Sequence, residues 1–189
     1  MQLDTIIGPA TGLFSAVGVD AAAAAAESRT MSTPILAAIA AALFLTIGGG
    51  LLTPIGEWYS TLRKPAWNPP NWVFGPAWTI ILGLWAWAGV LAWRGAFDDA
   101  GRTAVLTLFG VNAVCHFLWS PLFFKLRRPD WAVVEVLFLW GSLVALLFGL
   151  RPYSVLASWL IVPYFVWVSF AACLNGVIVR LNRPFGRAS

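Results

Sequence analysis

The segment VLASWLIVPYFVWVSFAACLNGVIV, residues 155–179, decides the fold of this chain. It contains no charged residue along its whole length. A helix needs about 20 mostly apolar residues to cross a hydrocarbon core of roughly 30 Å, and this segment is long enough. Lipid offers the backbone no hydrogen-bond partners, so a spanning segment of this kind must be helical. We therefore predict a transmembrane helix over residues 155–179.

Four further segments have the same character. The five predicted spans are 34–54, 74–93, 103–124, 131–150 and 155–179. The connections between them carry charge, and most contain proline or glycine. The composition agrees, because 60% of the 189 residues are hydrophobic and only 11% are charged, too few to cover a water-soluble domain. We predict an all-α membrane protein, a bundle of five transmembrane helices with a long first loop rich in proline and tryptophan.

Lysine and arginine predict the orientation, because cytoplasmic loops carry an excess of these residues. The connections on the C-terminal side carry eight of them: Arg63, Lys64, Lys125, Arg127, Arg128, Arg180, Arg183 and Arg187. The opposite side carries four: Arg29, Arg94, Arg102 and Arg151. We therefore predict that the first loop and the C-terminus are cytoplasmic and that the N-terminus lies outside.

Residues 1–33 differ from the predicted spans. They contain an apolar run, IIGPATGLFSAVGV, that is too short to cross a membrane, and then six consecutive alanines. A signal peptide is one interpretation, but the start of the chain carries Asp4 and no lysine or arginine. We favour a disordered or dispensable extension, with Met31 as the functional start. Residues 34–182 then form the membrane domain, and residues 183–189 form a basic tail.

Tryptophan recurs at helical spacing in several spans. In the fifth span a stripe of every fourth residue lies on one face: Trp159, Pro163, Trp167, Ala171 and Asn175. The tryptophans deepest in the spans are Trp78, Trp85, Trp119, Trp140 and Trp167. Helix seams in membranes are usually built from small residues, whereas inward-facing indoles suit a cavity for a large flat ligand. Packing and a ligand cavity both remain open interpretations.

Polar groups inside the spans are the first candidates for function, because each costs free energy unless it is satisfied or useful. Asn112, His116 and Trp119 share one face of the third span. His116 is either a hydrogen-bonded structural group or a ligand. Glu135, one turn after Trp131, either stabilises the helix N-terminus or contacts a ligand.

The first loop contains the segment EWYSTLRKPAWNPPNW, residues 57–72. Its three prolines pre-set the backbone and make the loop stiff. A stiff, aromatic and cationic loop can be a lid over a helical bundle or an anchor on the lipid headgroups, and both interpretations stay open. The candidate lid residues are Trp58, Tyr59, Lys64, Pro65, Trp67, Pro69 and Pro70.

Catalytic and metal-binding patterns are absent from the sequence. The chain has one histidine, two isolated cysteines, and no GxSxG, HExxH or glycine-rich phosphate loop. We therefore expect no catalytic residues, no metal centre and no obligatory cofactor. The basic residues are dispersed and the net charge is only +4, so no nucleic-acid partner is expected.

Several motifs resemble the tryptophan-rich sensory protein family, the bacterial counterpart of the mitochondrial translocator protein or peripheral benzodiazepine receptor. They are WYSTLRKPAWNPP in the first loop, the segment GPAW at 75–78, WSPLFF at 119–124 and PYFVWVSFAACLN at 163–175. The resemblance covers residues 34–182. It implies a five-helix bundle, usually a homodimer, that binds porphyrins, haem and hydrophobic drug-like molecules in a cavity under the first loop and acts in signalling.

The resemblance also assigns site residues by position. It places the pocket tryptophans at Trp78, Trp131 and Trp167, further pocket positions at Phe74 and Ala171, and an acidic position at Glu135. Most members have asparagine where this chain has His116, and an imidazole there can coordinate haem iron. Gly176 replaces an aromatic residue of the family's cholesterol-recognition segment, so strong sterol binding through that segment is not expected.

Three functional classes follow from the resemblance. The first is a membrane sensor or regulator that binds tetrapyrroles. The alternatives are an enzyme that breaks down porphyrin in light, with indoles as electron donors, and a porphyrin transporter. The transporter is less favoured, because the chain has no inverted repeat and few intramembrane charges.

Overall fold

The computed structural model describes residues 32–185, and this part of the chain is helical with connecting loops. Five helices are long and apolar enough to span a membrane: α1 (Ser32–Leu51), α3 (Asn71–Gly95), α4 (Asp99–Ser120), α5 (Pro129–Gly149) and α6 (Val155–Asn182). A short helix, α2 (Glu57–Thr61), lies in the first loop, and a π-helical turn, Pro121–Lys125, extends α4. The predicted all-α, five-span architecture is confirmed.

Local capping determines where three of the helices begin, and two of these starts differ from the predicted ones. The N-cap of α3 is Pro70, so this helix begins at Asn71, three residues earlier than predicted. Helix α4 begins four residues earlier than predicted, because the Asp98 carboxylate accepts a hydrogen bond from the Gly101 amide at 2.7 Å. Helix α6 begins at Val155 as predicted, with the Ser154 hydroxyl accepting from the Ala157 amide at 3.1 Å.

The chain divides into two compact units, residues 1–37 and 38–189. Of the first unit the structure describes residues 32–37, the beginning of α1. The predictions for residues 1–31 lie outside the described residues, as does most of the predicted basic tail. All the packing described below lies within the second unit.

The core of the second unit is formed by α3 to α6. Helix α5 packs against α4 and α6, and α3 packs against α6. Ala88, Ala92 and Ala157 are fully buried, which lets the helix backbones approach closely. Helix α1 packs on α4 through Phe44, whose ring stacks on Phe117 at 5.4 Å.

A polar cluster joins three of the helices at mid-bundle. The Trp85 indole donates to Asn112 Oδ1 at 2.9 Å, and Asn112 Nδ2 donates to the Ser142 hydroxyl at 2.9 Å. Ser142 in turn donates to the Leu139 carbonyl at 2.7 Å. Every polar side chain of this cluster is therefore paired, as a low-dielectric interior requires.

Candidate functional site

A cavity of about 490 Å³ lies in the half of the bundle nearest the first loop. Helices α1, α3, α4, α5 and α6 all contribute to its wall, together with the π-helical turn and part of the first loop. Seven of the predicted site residues line it: Tyr59, Phe74, Trp78, His116, Trp119, Trp167 and Ala171. Its volume falls within the range of small-molecule sites, about 300–1,000 Å³.

Two tryptophans from different helices meet on one side of the wall. The ring centroids of Trp78 on α3 and Trp167 on α6 lie 6.3 Å apart, with ring planes at 84°. Phe74, one turn before Trp78, lies edge-on to Trp167 at 5.8 Å. Ala171 follows Trp167 by one turn, and its small side chain leaves room beside the indoles. Asn175 also lines the cavity, so the predicted stripe of α6 presents three of its five members to it.

The π-helical turn carries a second aromatic group on the wall. Trp119 stacks on Phe123 at 5.1 Å, and Phe124 and Tyr59 pack against each other at 5.5 Å. The indole nitrogens of Trp119 and Trp167 are buried and have no hydrogen-bond partner among the residues that the structure describes. Two donors on the cavity-lining tryptophans are therefore unpaired, which is costly in a protein interior.

His116 contributes an imidazole to the wall. Its Nδ1 atom lies 2.7 Å from the hydroxyl of Tyr164, a side chain that is 1% exposed and lies behind the wall. The Trp78 ring meets the imidazole edge-to-face at 4.9 Å. On the α1 side, a Cβ atom built on Gly49 would lie 4.0 Å from His116 Nε2. The ring is thus held between Tyr164 and the cavity.

Three of the predicted ligand-binding residues, apart from those of the lid, are not on the cavity wall. Asn112 is fully buried and engaged in the mid-bundle cluster. Trp131 is 51% exposed, and the Arg128 guanidinium covers its ring at 4.3 Å, an arrangement typical of a membrane interface. Glu135 is buried, and neither of its carboxyl oxygens has a hydrogen-bond partner within residues 32–185. Its neighbour in sequence, Val136, is on the wall instead.

The tryptophans deepest in the spans divide into two groups. Trp78, Trp119 and Trp167 line the cavity. Trp85 is bound to Asn112, and Trp140 is 39% exposed and donates to the Ser169 hydroxyl at 3.0 Å. Trp78, Trp119 and Trp167 therefore agree with the cavity interpretation, and Trp85 and Trp140 agree with the packing interpretation.

The first loop is bound to the end of α6 by direct contacts. The Asn182 side chain accepts from the Arg63 amide and donates to the Arg63 carbonyl, each at 2.8 Å. Trp67 lies edge-on to Phe170 at 5.6 Å. These contacts connect residues more than a hundred positions apart in the chain, and they hold the loop against the bundle.

Lys64 makes contacts within the first loop that stabilise it. Its ammonium donates to the Tyr59 carbonyl at 2.5 Å and to the Leu62 carbonyl at 3.3 Å, and it lies 4.2 Å from the centre of the Tyr59 ring. Partial burial lowers the pKa of this lysine. Its donors are engaged by the loop itself, so the predicted lid cation is not directed at the cavity.

The remaining lid residues support the loop from outside the wall. Trp58 packs edge-on against Phe123 at 6.0 Å. The carbonyls of Pro65 and Pro70 each accept a backbone amide at 3.0 Å, and the Pro69 carbonyl accepts from the Asn68 side chain at 2.9 Å. Of the predicted lid, Tyr59 is the residue that reaches the cavity.

Sequence reasoning missed Tyr164 and Gly49. Tyr164 is off the tryptophan stripe, but a tyrosine deep in a span needs a partner for its hydroxyl, and an imidazole is a suitable one. Three consecutive glycines, residues 48–50, lie near the end of α1, and small residues of this kind are typical of close helix packing. A Cβ at Gly48 would indeed lie 2.9 Å from the Phe117 ring, whereas Gly49 and Gly50 line the cavity.

Comparison with known proteins of similar sequence identifies the family of this chain. The sequence model of the TspO/MBR family matches residues 35–181. The Tryptophan-rich protein TspO of Chlorobaculum tepidum is 37% identical over 153 residues, which are 77% of this chain and 94% of that protein. The Tryptophan-rich sensory protein of Cereibacter sphaeroides is 35% identical over 142 residues, 74% of this chain and 87% of that protein.

The similarity extends to eukaryotes. The human Translocator protein is 33% identical over 128 residues, which are 67% of this chain and 75% of that protein. The family match covers all five spanning helices and the first loop, and it agrees with an integral, multi-pass membrane protein. This chain belongs to the TspO/MBR family.

Proposed function

We propose that this protein binds planar tetrapyrroles, and comparable flat apolar molecules, in the cavity under the first loop, and that it acts as a membrane sensor or regulator. The observation that carries the proposal is the convergence of Trp78, Trp119 and Trp167, from three segments, on one cavity of about 490 Å³. Indole faces and edges attract flat aromatic rings, and this attraction adds to apolar burial.

The chemistry of the wall favours an apolar ligand. No lysine, arginine, aspartate or glutamate is among the described residues that line the cavity. Apolar burial contributes about 25 cal/mol per Å² before the costs of ordering the ligand.

A titration with protoporphyrin IX tests the proposal. The protein in detergent is titrated, and the porphyrin absorption and fluorescence are followed, so that the many tryptophans do not complicate the signal. Ala171→Trp fills the cavity and is expected to abolish saturable binding. Cys173→Trp, two residues further along α6 and exposed, is the matched control and is expected to bind like the unaltered chain. Unchanged binding by Ala171→Trp would refute the proposed site.

Light-dependent breakdown of the bound porphyrin is a second candidate function. The observation that favours it is the pair Trp78 and Trp167, 6.3 Å apart and both on the wall, since indoles are electron donors to an excited ring. The complex is illuminated in air and the porphyrin absorption followed over time. Trp78→Phe is expected to slow the loss, and Trp159→Phe, on an exposed residue of α6, is not. If the porphyrin absorption does not change under illumination, the breakdown activity is refuted and binding remains the proposed function.

A further inference from the structure

The two ring nitrogens of His116 have different surroundings. Nδ1 is engaged by the Tyr164 hydroxyl at 2.7 Å, and Tyr164 is not among the cavity-lining residues. The two nitrogens lie on opposite edges of an imidazole, so Nε2 is directed away from Tyr164. No hydrogen bond to Nε2 occurs among the residues from 32 to 185, and His116 itself lines the cavity. Nε2 is therefore the nitrogen available to a ligand.

The surroundings of Nε2 leave space for a ligand atom. On the α1 side, even a Cβ atom built on Gly49 would stay 4.0 Å from Nε2. Gly50 follows it on the wall, and a Cβ built there meets no atom within 4 Å. Two adjacent glycines thus keep the wall open beside a free imidazole nitrogen.

The contact with Tyr164 is of the kind that orients metal-binding histidines. A ligating imidazole donates its other N–H to a nearby acceptor, which selects the tautomer and holds the ring. The tyrosine hydroxyl can accept as well as donate, so it is a suitable acceptor for an Nδ1 proton. Tyr164 would then be a positioning residue, and Nε2 would carry the lone pair.

A bare metal ion is not expected at this position. The described part of the chain has no group of three or more histidine, cysteine, aspartate or glutamate side chains that could hold one. One imidazole suffices only if the metal arrives with most of its ligands, as iron does in a haem. The cavity size and its indole wall also suit the flat ring of a tetrapyrrole.

We propose that His116 Nε2, oriented by Tyr164, is an axial ligand to the iron of a haem bound in the cavity. The chain would then bind the iron-containing tetrapyrrole more tightly than the metal-free one. This inference rests on the proposed function, because the macrocycle must first occupy the cavity.

The test compares ferric protoporphyrin IX with metal-free protoporphyrin IX on the full chain in detergent. His116 is the single histidine of the sequence, so a purification tag without histidine makes any imidazole-ligated spectrum attributable to it. Absorption, electron paramagnetic resonance and the iron–imidazole vibration are recorded. The unaltered chain is expected to give an imidazole-ligated ferric spectrum.

Two variants examine the ligand and its positioning residue. His116→Asn is expected to lose the imidazole signature and to lower ferric affinity by about tenfold or more, while metal-free affinity stays within about twofold. Tyr164→Phe is expected to keep a weakened, shifted iron–imidazole vibration and to lower ferric affinity by roughly 10–100-fold. Tyr153→Phe, outside the cavity wall, is the matched control and is expected to change neither.

The outcomes separate this inference from the proposed function. If neither porphyrin binds, the proposed function fails. If metal-free porphyrin binds but the ferric spectrum of His116→Asn equals that of the unaltered chain, the inference alone is wrong. A thiolate spectrum that disappears in Cys115→Ser would also overturn it, because the neighbouring cysteine would then be the ligand.

Discussion

Trp78 and Trp85 lie seven residues apart on α3, yet their surroundings differ. Trp85 is 4% exposed, and its indole donates to Asn112 within a fully paired cluster. Trp78 lines the cavity and meets His116, one turn further along α4 than Asn112. Helix α3 thus presents one indole to the packed interior and another, about two turns away, to the cavity.

The two indoles differ in the residues that surround them. Trp85 packs edge-on against Phe109 at 5.0 Å and donates to Asn112, and the small side chains of Ala88 and Ser142 are buried at the same level. Trp78 meets His116 and Trp167 edge-on, and all three side chains line the cavity. Both indoles have aromatic neighbours and only Trp78 lines the cavity, so a tryptophan stripe does not by itself mark a cavity.

Enlarging one side chain near Trp85 and one on the cavity wall is expected to give the largest difference in stability between two variants. Ala88→Leu inserts three carbon atoms into a fully buried position, and we expect the free energy of unfolding to fall by about 3 kcal/mol. Ala171→Leu extends into the cavity and is expected to cost less than about 0.5 kcal/mol. Unfolding in mixed micelles measures both. Equal losses of stability would show that the two levels are packed alike.

Breaking the polar cluster is expected to have a smaller effect. Asn112→Leu leaves the Trp85 donor and the Ser142 hydroxyl without their shared partner, and we expect a loss of about 1 kcal/mol. Adding Trp85→Phe removes the orphaned donor and should recover part of that loss. Thermal unfolding in detergent measures both variants. A double variant that is less stable than the single one would contradict this account of the cluster.

Releasing the first loop is expected to have the smallest effect on stability. Asn182→Ala removes both hydrogen bonds to Arg63, which are solvent-exposed, and should cost about 0.5 kcal/mol or less. We expect faster tryptic cleavage at Arg63, because the loop is no longer held at that point. Asn182→Asp keeps the acceptor for the Arg63 amide and should be cleaved at an intermediate rate. Unchanged cleavage in both variants would mean that other contacts hold the loop.

The number of spanning helices and their approximate bounds could be predicted because they depend on local composition. Long uncharged segments, such as residues 155–179, must be helical in lipid, and proline and charge mark their ends. The helix starts were less accurate at α3 and α4, since they depend on individual capping residues such as Pro70 and Asp98.

The site could be predicted only in part. Periodicity shows which residues share a face of a helix, but it does not show which residues of other helices pack against that face. Trp131 and Glu135 share a face of α5 by spacing, yet Trp131 is half exposed in the first turn and Glu135 is covered one turn deeper. In the same way Asn112 and His116 share a face of α4, but only His116 reaches the cavity.

Hydrophobic length and the demands of backbone hydrogen bonding can be read from composition, and they sufficed to predict the five spanning helices found within residues 32–185. Which indoles face a cavity and which fill the core became visible only in the packed bundle. That choice depends on how closely neighbouring helices approach, and the distance is set by side chains far apart in the chain, such as Gly49, Trp78 and Trp167.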